Sequence, residues 1–341
     1  MKKTGWIVSP SPFLMTRPTV YRMSLVLGLS LAPQIMLLAF TNDYGALINI
    51  AVAVAGSLLA EMCTGITDWK NRFADGTAII SGIITGMLVP STLSPIVTGI
   101  VAFIGILLVK VVFGGHGSYW MNPIAIAVCI AWISQPAAFP QILVTADGFR
   151  TVGDAFGALK LDHFSLDAYD QQLTGVINSG LELAGIKLPE GYLTLFCNSP
   201  SPIPAFRYNL LTLAASVVLI AMDIIDWIVP AFFLATYALC AYFLTGLPFG
   251  AVFANGDILF ALLTSGTLFI AFYVLPEFST NPRTRIGKMV SGFIAGLIAF
   301  LLSGPGGSPV GSVFTVVIVN SVNPLIEHIE NRHLSYTGDP V

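Results

Sequence analysis

Between Met23 and Ile326 the chain strings together ten apolar runs, together too much apolar surface to bury in one water-soluble core. They are Met23–Phe40, Gly45–Ile66, Thr77–Val89, Pro95–Phe113, Pro123–Phe139, Tyr208–Ile225, Trp227–Leu247, Asp257–Leu275, Ile286–Leu302 and Val310–Ile326. About 20 apolar residues span a bilayer as a helix, and shorter runs do so where protein rather than lipid surrounds their ends. The expected fold is therefore all-α, a polytopic membrane protein of about ten transmembrane helices. Composition agrees, because 55% of the 341 residues are hydrophobic and 10% charged, against about 25% charged in a soluble domain. A net charge of −3 with singly spread basic residues excludes a nucleic-acid footprint. Cys63, Cys129, Cys197 and Cys240 lack CxxC spacing, and His163 and His328 lack partners at ligand spacing, so no metal or iron–sulfur site is expected in this chain. Lys2 and Lys3 lead into a Pro-rich polar stretch rather than an apolar signal core, so the N-terminus is expected to be retained.

Two of the runs echo each other. DGTAIISGIITGMLVP (Asp75–Pro90) and DILFALLTSGTLFIAFYVLP (Asp257–Pro276) are both apolar, open at a small polar pair, Ser81-Gly82 or Ser265-Gly266, and close on proline. Each is followed by an apolar run, a Gly-Gly pair (Gly114-Gly115 or Gly306-Gly307) and a second apolar run. Gly-interrupted segments in corresponding places of two halves point to a site between repeats near the midplane. With five helices per half, the second half enters from the opposite face, which makes the expected repeat inverted.

Lys and Arg concentrate in cytoplasmic loops. With the N-terminus inside, Lys2, Lys3, Arg17, Arg22, Lys70, Arg72, Lys110, Arg283, Arg285, Lys288 and Arg332 all fall inside, and the short outer loops carry none. Both termini are then cytoplasmic, in a cell inner membrane. Residues 1–139 form a first five-helix repeat, 140–206 an extracytoplasmic loop and 207–341 a second five-helix repeat. Within the loop, Leu166, Tyr169, Leu173, Val176, Ile177, Leu181 and Ala184 recur at helical spacing after Ser165. They predict an amphipathic helix lying on the membrane or a partner, with acidic residues including Asp167, Asp170 and Glu182 keeping its other face in water.

A broken helix at membrane depth exposes N–H and C=O groups that a ligand can satisfy. Candidate binding residues are Ser81 and Gly82, Ser265, Gly266 and Thr267, the FGGHGSYWMNP stretch with Gly114, Gly115, Asn122 and Pro123, and Asn320. The glycines and aromatics of that stretch suit a flat heteroaromatic ligand, and equally a tight turn between helices. Glu61 is a carboxyl near a span interior and a candidate for an ion pathway, or a side chain that snorkels to the cytoplasmic face. Asp223, Asp226 and Glu277 are expected to be solvated. Beyond a redox role, a channel or transporter for a small solute or vitamin and a purely structural subunit fit the same pattern.

Several stretches together resemble the RnfD/NqrB family, membrane subunits of Rnf ion-translocating electron-transport complexes and of sodium-pumping quinone reductases. These are VSPSPFLMTRPTVYRMSLV at the start, DGTAIISGIITGMLVP, FGGHGSYWMNPIAIA, LLTSGTLFIAFYVLPEFST, NPRTRIGKMVSGFIAGLIAFLL and GGSPVGSVFTVVIVNSVNPLIEHI, in the family's order. The resemblance implies a flavin-bearing electron carrier coupled to Na⁺ or H⁺ movement, working among other membrane and peripheral subunits. Its implied cofactors are FMN esterified to a threonine in an SGAT-type motif and a further flavin, FMN or riboflavin, in the membrane. The matching stretch here, DGFRTVGDAFGALK, has Gly153 at the threonine position and Thr151 as the nearest hydroxyl. Thr151 is thus the candidate attachment residue, and the expectation is that no covalent flavin is carried.

Overall fold

The computed structural model describes residues 19–63, 75–115, 117–140, 169–182, 190–244, 256–304, 308 and 310–337. Thr151, His163, Ser165, His116 and the Gly306-Gly307 pair lie outside the described residues. Among the described residues all regular structure is helical, with thirteen α-helices and no strand. α1 (Val20–Phe40), α2 (Tyr44–Met62), α3 (Thr77–Leu88), α4 (Pro95–Gly105) and α5 (Pro123–Ser134) come first. α6 (Asp170–Leu181) and α7 (Tyr192–Cys197) follow in the long connection. α8 (Asn209–Ala221), α9 (Ile228–Leu244), α10 (Ile258–Thr264), α11 (Thr267–Phe269), α12 (Arg285–Ser303) and α13 (Gly311–Thr337) complete the chain. Wider π-turns extend α4 through Ile106–Val111 and α11 through Ile270–Val274.

A helix lies over each of the ten apolar runs. Four of them, α1, α2, α12 and α13, are long and apolar enough to cross a membrane unaided. α3 and α5 have only 12 residues each, about 18 Å of rise against roughly 30 Å of hydrocarbon. Neither is long enough to cross a membrane unaided, and α3 is buried within the protein from Ile84 to Leu88. α13, with Pro324 inside it, continues past the expected stop at Ile326 as far as Thr337, and Glu330 in this extension accepts a hydrogen bond from Thr284, the N-cap of α12.

Glycine sets how closely the helices approach. A Cβ on Gly82 would stand 2.6 Å from Cα of Val54, and one on Gly86 2.5 Å from Cα of Ile50, so α3 lies backbone to backbone on α2. The Ser81-Gly82 pair therefore does not open its helix, contrary to its reading as a counterpart of Ser265-Gly266. The second pair does: Gly266 has φ +70° and divides α10 from α11. α2 meets α4 at Gly56, whose Cβ would reach 2.4 Å from the Gly99 carbonyl, and α12 meets α9 at Gly296, 2.6 Å from the Phe233 carbonyl. Amide side chains then clamp the connections. Asn49 donates to the carbonyls of Pro90 and Leu93, and Asn209 to those of Leu195 and Leu263. α1 packs against α8 and α5 against α13, joining the two halves around one apolar core that includes Leu31, Met87, Val128, Phe206, Phe233 and Val316.

In the long connection, α6 leaves Tyr169, Leu173, Val176 and Ile177 exposed as one apolar stripe, as its periodicity predicts. Asp170 departs from expectation, being fully buried rather than solvated. Its oxygens accept from the Thr174 and Thr194 hydroxyls and from the N–H groups of Gly191 and Thr194, tying α6 to the first turn of α7. Burial works against its charge, but those hydrogen bonds, led by the Thr194 hydroxyl, outweigh it and hold the carboxyl below its usual range.

Gly266 supplies a test of the break. An added Cβ would lie 2.5 Å from the Phe206 ring. Gly266→Ala should cost about 1–2 kcal/mol for the left-handed backbone and a similar amount for the clash. Adding Phe206→Leu should return the steric part and leave the backbone part. Thermal melts in detergent check this, and a single mutant as stable as the parent would show that the helix is not broken there.

Candidate functional site

A partly open cleft with a cavity volume of about 80 Å³ lies at the end of the bundle that carries the start of α1. Its walls come from both halves: α1 (Met23, Ser24, Leu27), α3 (Thr77, Ile80, Ser81, Ile84) and Lys110 from the first, Ile224 and the segment Phe272–Phe278 from the second. The two π-turns shape it. In each, an N–H reaches back five residues, Val112 to Leu107 and Leu275 to Ile270. Such turns widen a helix and re-aim its side chains. The first carries Lys110 inward beside Val109, and the second carries Phe272 and Tyr273 into the wall.

The charge pattern of the sequence places Lys110 at the cytoplasmic surface, and Glu61 either there or in an ion path. The structure buries both, each less than a tenth exposed, as an ion pair, and Lys110 Nζ also donates to Thr77 Oγ1 at 2.6 Å. Glu277, expected to be solvated, instead lines the cleft and accepts from the Tyr119 hydroxyl at 2.9 Å. Burial, then the Glu277 carboxylate, hold the Tyr119 phenol well above its usual value. Asp226, another carboxylate expected in water, pairs with Lys288 at 2.6 Å and accepts from the Ile228 N–H, whereas Asp223 is exposed as its sequence position suggests. The largely apolar wall of the cleft thus holds one carboxylate, Glu277, one ammonium, Lys110, and one phenol, Tyr119, with the Glu61 carboxylate paired to Lys110 behind it.

The other candidates divide between shaping this site and lying apart from it. Asn122 uses its whole amide: Oδ1 accepts from Ile124 and Ala125 N–H to cap α5, and Nδ2 donates to the Val274 carbonyl of the second π-turn at 2.9 Å. Pro123 takes the first position of α5, where a missing N–H costs nothing. Gly114 and Gly115, at φ +99° and +109°, make the turn that brings Tyr119 back to the wall. Ser81 lines the cleft, whereas Gly82 is spent on the α2 contact. Ser265, Gly266 and Thr267 sit apart under Phe206, the two hydroxyls 2.8 Å from each other. An aromatic series leads from there to the cleft: Phe206 meets Phe269 edge-on at 6.4 Å, and Phe269 stacks on Tyr273 at 4.6 Å. Asn320 does not line the cleft, and among the described residues neither of its buried amide atoms has a partner.

Lys110, Tyr273 and Glu277 are the site groups that sequence reasoning missed. One signal was present: Glu61 in the second apolar run and Lys110 in the fourth stand near the same end of their runs with opposite charge, a pattern that lipid tolerates only as a pair.

A helical bundle with four helices long and apolar enough to cross a membrane defines an integral membrane protein, and its candidate cleft lies between the two halves of the chain. The NQR2, RnfD, RnfE family model matches residues 7–335, and the chain belongs to that family. It is 26% identical to the D component of the ion-translocating oxidoreductase complex of Cronobacter sakazakii, over 94% of this chain and 96% of that one. It is 24% identical to the D component of the proton-translocating ferredoxin:NAD(+) oxidoreductase complex of Clostridium ljungdahlii, over 96% and 95%. The corresponding component from Salmonella arizonae matches similarly, at 24% over 94% and 96%.

Removing one member of a buried ion pair strands the other. Lys110→Met should destabilise the protein by about 3 kcal/mol, and Lys110→Met with Glu61→Gln should recover most of that loss. Unfolding in detergent measures both. Equal stability of Lys110→Met and the parent would mean that Glu61 is solvated.

Proposed function

We propose that the chain is a membrane subunit of an Rnf-like ion-translocating oxidoreductase and that its cleft holds a flavin without a covalent bond. The observation that carries the reading is the wall itself: aromatic rings of Phe272 and Tyr273 beside the donors Lys110 and Tyr119, contributed by both halves of the chain. Residues of this kind fit an isoalloxazine, which needs a flat apolar slot and polar partners along one edge. The flavin, when bound, supplies the capacity to take and pass electrons. The chain's own part is to orient the ring, exclude water from it and set its potential. Lys110 favours negative charge in the slot and the Glu61 and Glu277 carboxylates oppose it, so the balance among these side chains tunes the potential.

In this reading all ten helices cross the bilayer as two inverted five-helix repeats, with both termini cytoplasmic and the cleft on that side. Support comes from the matching approach of second to fourth helix at glycine in each half, α2 to α4 at Gly56 and α9 to α12 at Gly296. The Cronobacter and Clostridium relatives are components of larger complexes, and glycine-lined helix faces of this kind pack best against other helices. Other membrane and peripheral subunits are the proposed partners.

The complex purified from native membranes should be yellow, and denaturation should release its flavin, leaving no fluorescent band for this chain in a gel. Tyr273→Leu and Lys110→Met should each lower flavin per complex by about fivefold or more, as expected when a stacking face or a charged partner is removed, with Thr151→Ala unchanged. A fluorescent band lost in Thr151→Ala, or full flavin content in both cleft variants, would contradict the reading.

A further inference from the structure

The inward face of α1 carries Ser24, Ser30 and Gln34, three polar residues on a helix otherwise fit for lipid. Ser24 lines the cleft, and the Ser30 hydroxyl lies 3.0 Å from that of Tyr273, a cleft wall. Gln34 is fully buried, and its Nε2 donates to Thr212 Oγ1 of α8 at 3.2 Å. The Thr212 hydroxyl in turn donates to the Tyr208 carbonyl at 3.2 Å. Tyr208 lines a polar pocket at the opposite end of the bundle, with Thr41, Ser199 and Arg207. Hydrogen bonds thus reach inward from the cleft as far as Ser30 and from the far pocket as far as Gln34.

One link is missing between them. Ser30 and Gln34 are one turn apart on the same face, their Cβ atoms about 6 Å from each other. Here Gln34 Oε1, fully buried, has no hydrogen-bond partner among the described residues. At the same height Pro33 has no N–H to return to the Leu29 carbonyl. A buried acceptor left without a donor is costly, and most costly in a bilayer, where no solvent compensates it. The groups on either side of the break, the Gln34 amide oxygen and the paired Ser30 and Tyr273 hydroxyls, are neutral oxygen donors of the kind that replace a hard cation's hydration shell. The carboxylate of Glu61 is engaged by Lys110.

We infer that Gln34 Oε1, with the Ser30 and Tyr273 hydroxyls, forms a transient site for a small monovalent cation, Na⁺ or hydronium. The site is the narrow point of a polar seam between α1 and α8 that joins the cleft to the far pocket. This rests on the reading of the chain as an ion-translocating subunit. Neutral ligands suit a transit point, since binding must be weak enough for the ion to leave.

The test uses the whole complex in proteoliposomes, driven by its electron donor, with radioactive sodium uptake and a pH dye read against electrons transferred. Gln34→Leu should either lower ions moved per electron by about tenfold or more, or raise the half-saturating cation concentration by that factor, since one of three oxygen ligands is lost. Ser30→Ala should do the same more weakly. The sodium and proton arms show which ion occupies the site. Should Gln34→Leu fail to assemble, Ser30→Ala and Thr212→Val are judged by the same two readouts. Variants that keep both readouts at the parental value would overturn the inference and leave Gln34 holding a structural water only. A parental complex that moves no ion would instead sink the reading beneath it.

Discussion

A bilayer offers a peptide group or a side-chain charge nothing to bond with, and the architecture of this protein follows from the ways its chain answers that constraint. Long helices answer it alone. The short ones, α3 and α5, answer it by lying within protein, which requires backbones to touch, and glycines at 56, 82, 86 and 296 permit that approach across the bundle. Where the helix is broken, at Gly266, the adjacent Ser265 and Thr267 hydroxyls bond to each other and Phe206 seals the gap. Buried charge obeys the same rule, Lys110 with Glu61 in the bundle and Asp170 among four donors in the connection.

How much of this was legible depended on whether the signal was local. Apolar runs and capping residues sit next to each other in the chain, so helix over each of the ten apolar runs was readable, and Asn122-Pro123 starts α5 as such a pair should. The break at Gly266 was visible as a small polar pair in an apolar run. The same signal misled at Ser81-Gly82, because a glycine that admits a neighbouring backbone and one that takes a positive φ look alike in sequence. The site was harder to see. Its polar members have the composition of surface charges, yet Lys110 is turned inward by a π-turn, and no residue pattern distinguishes that turn from an ordinary helix end. Glu277 finds Tyr119 across 158 positions, a meeting that only the packing of the two halves creates.

The candidate site lies where those halves meet. Each half supplies one π-turn to the cleft, and Asn122 fastens α5 of the first half to the π-turn of the second. A ligand held there would touch both halves at once, so a change in its charge would bear on the contact between them. Polar seam and aromatic series both start from Tyr273, which touches Ser30 on one side and Phe269 on the other. One side chain thus borders the proposed electron carrier and the proposed ion route.

Whether the cleft is a cofactor slot formed jointly by the two halves of one chain is tested most directly by an electron cryo-microscopy map of the assembled complex. Flat density of three fused rings lying along Tyr273 and within reach of Lys110 is the predicted result. A cleft filled by a lipid tail or by a helix of a neighbouring subunit, with the membrane flavin elsewhere, would contradict it.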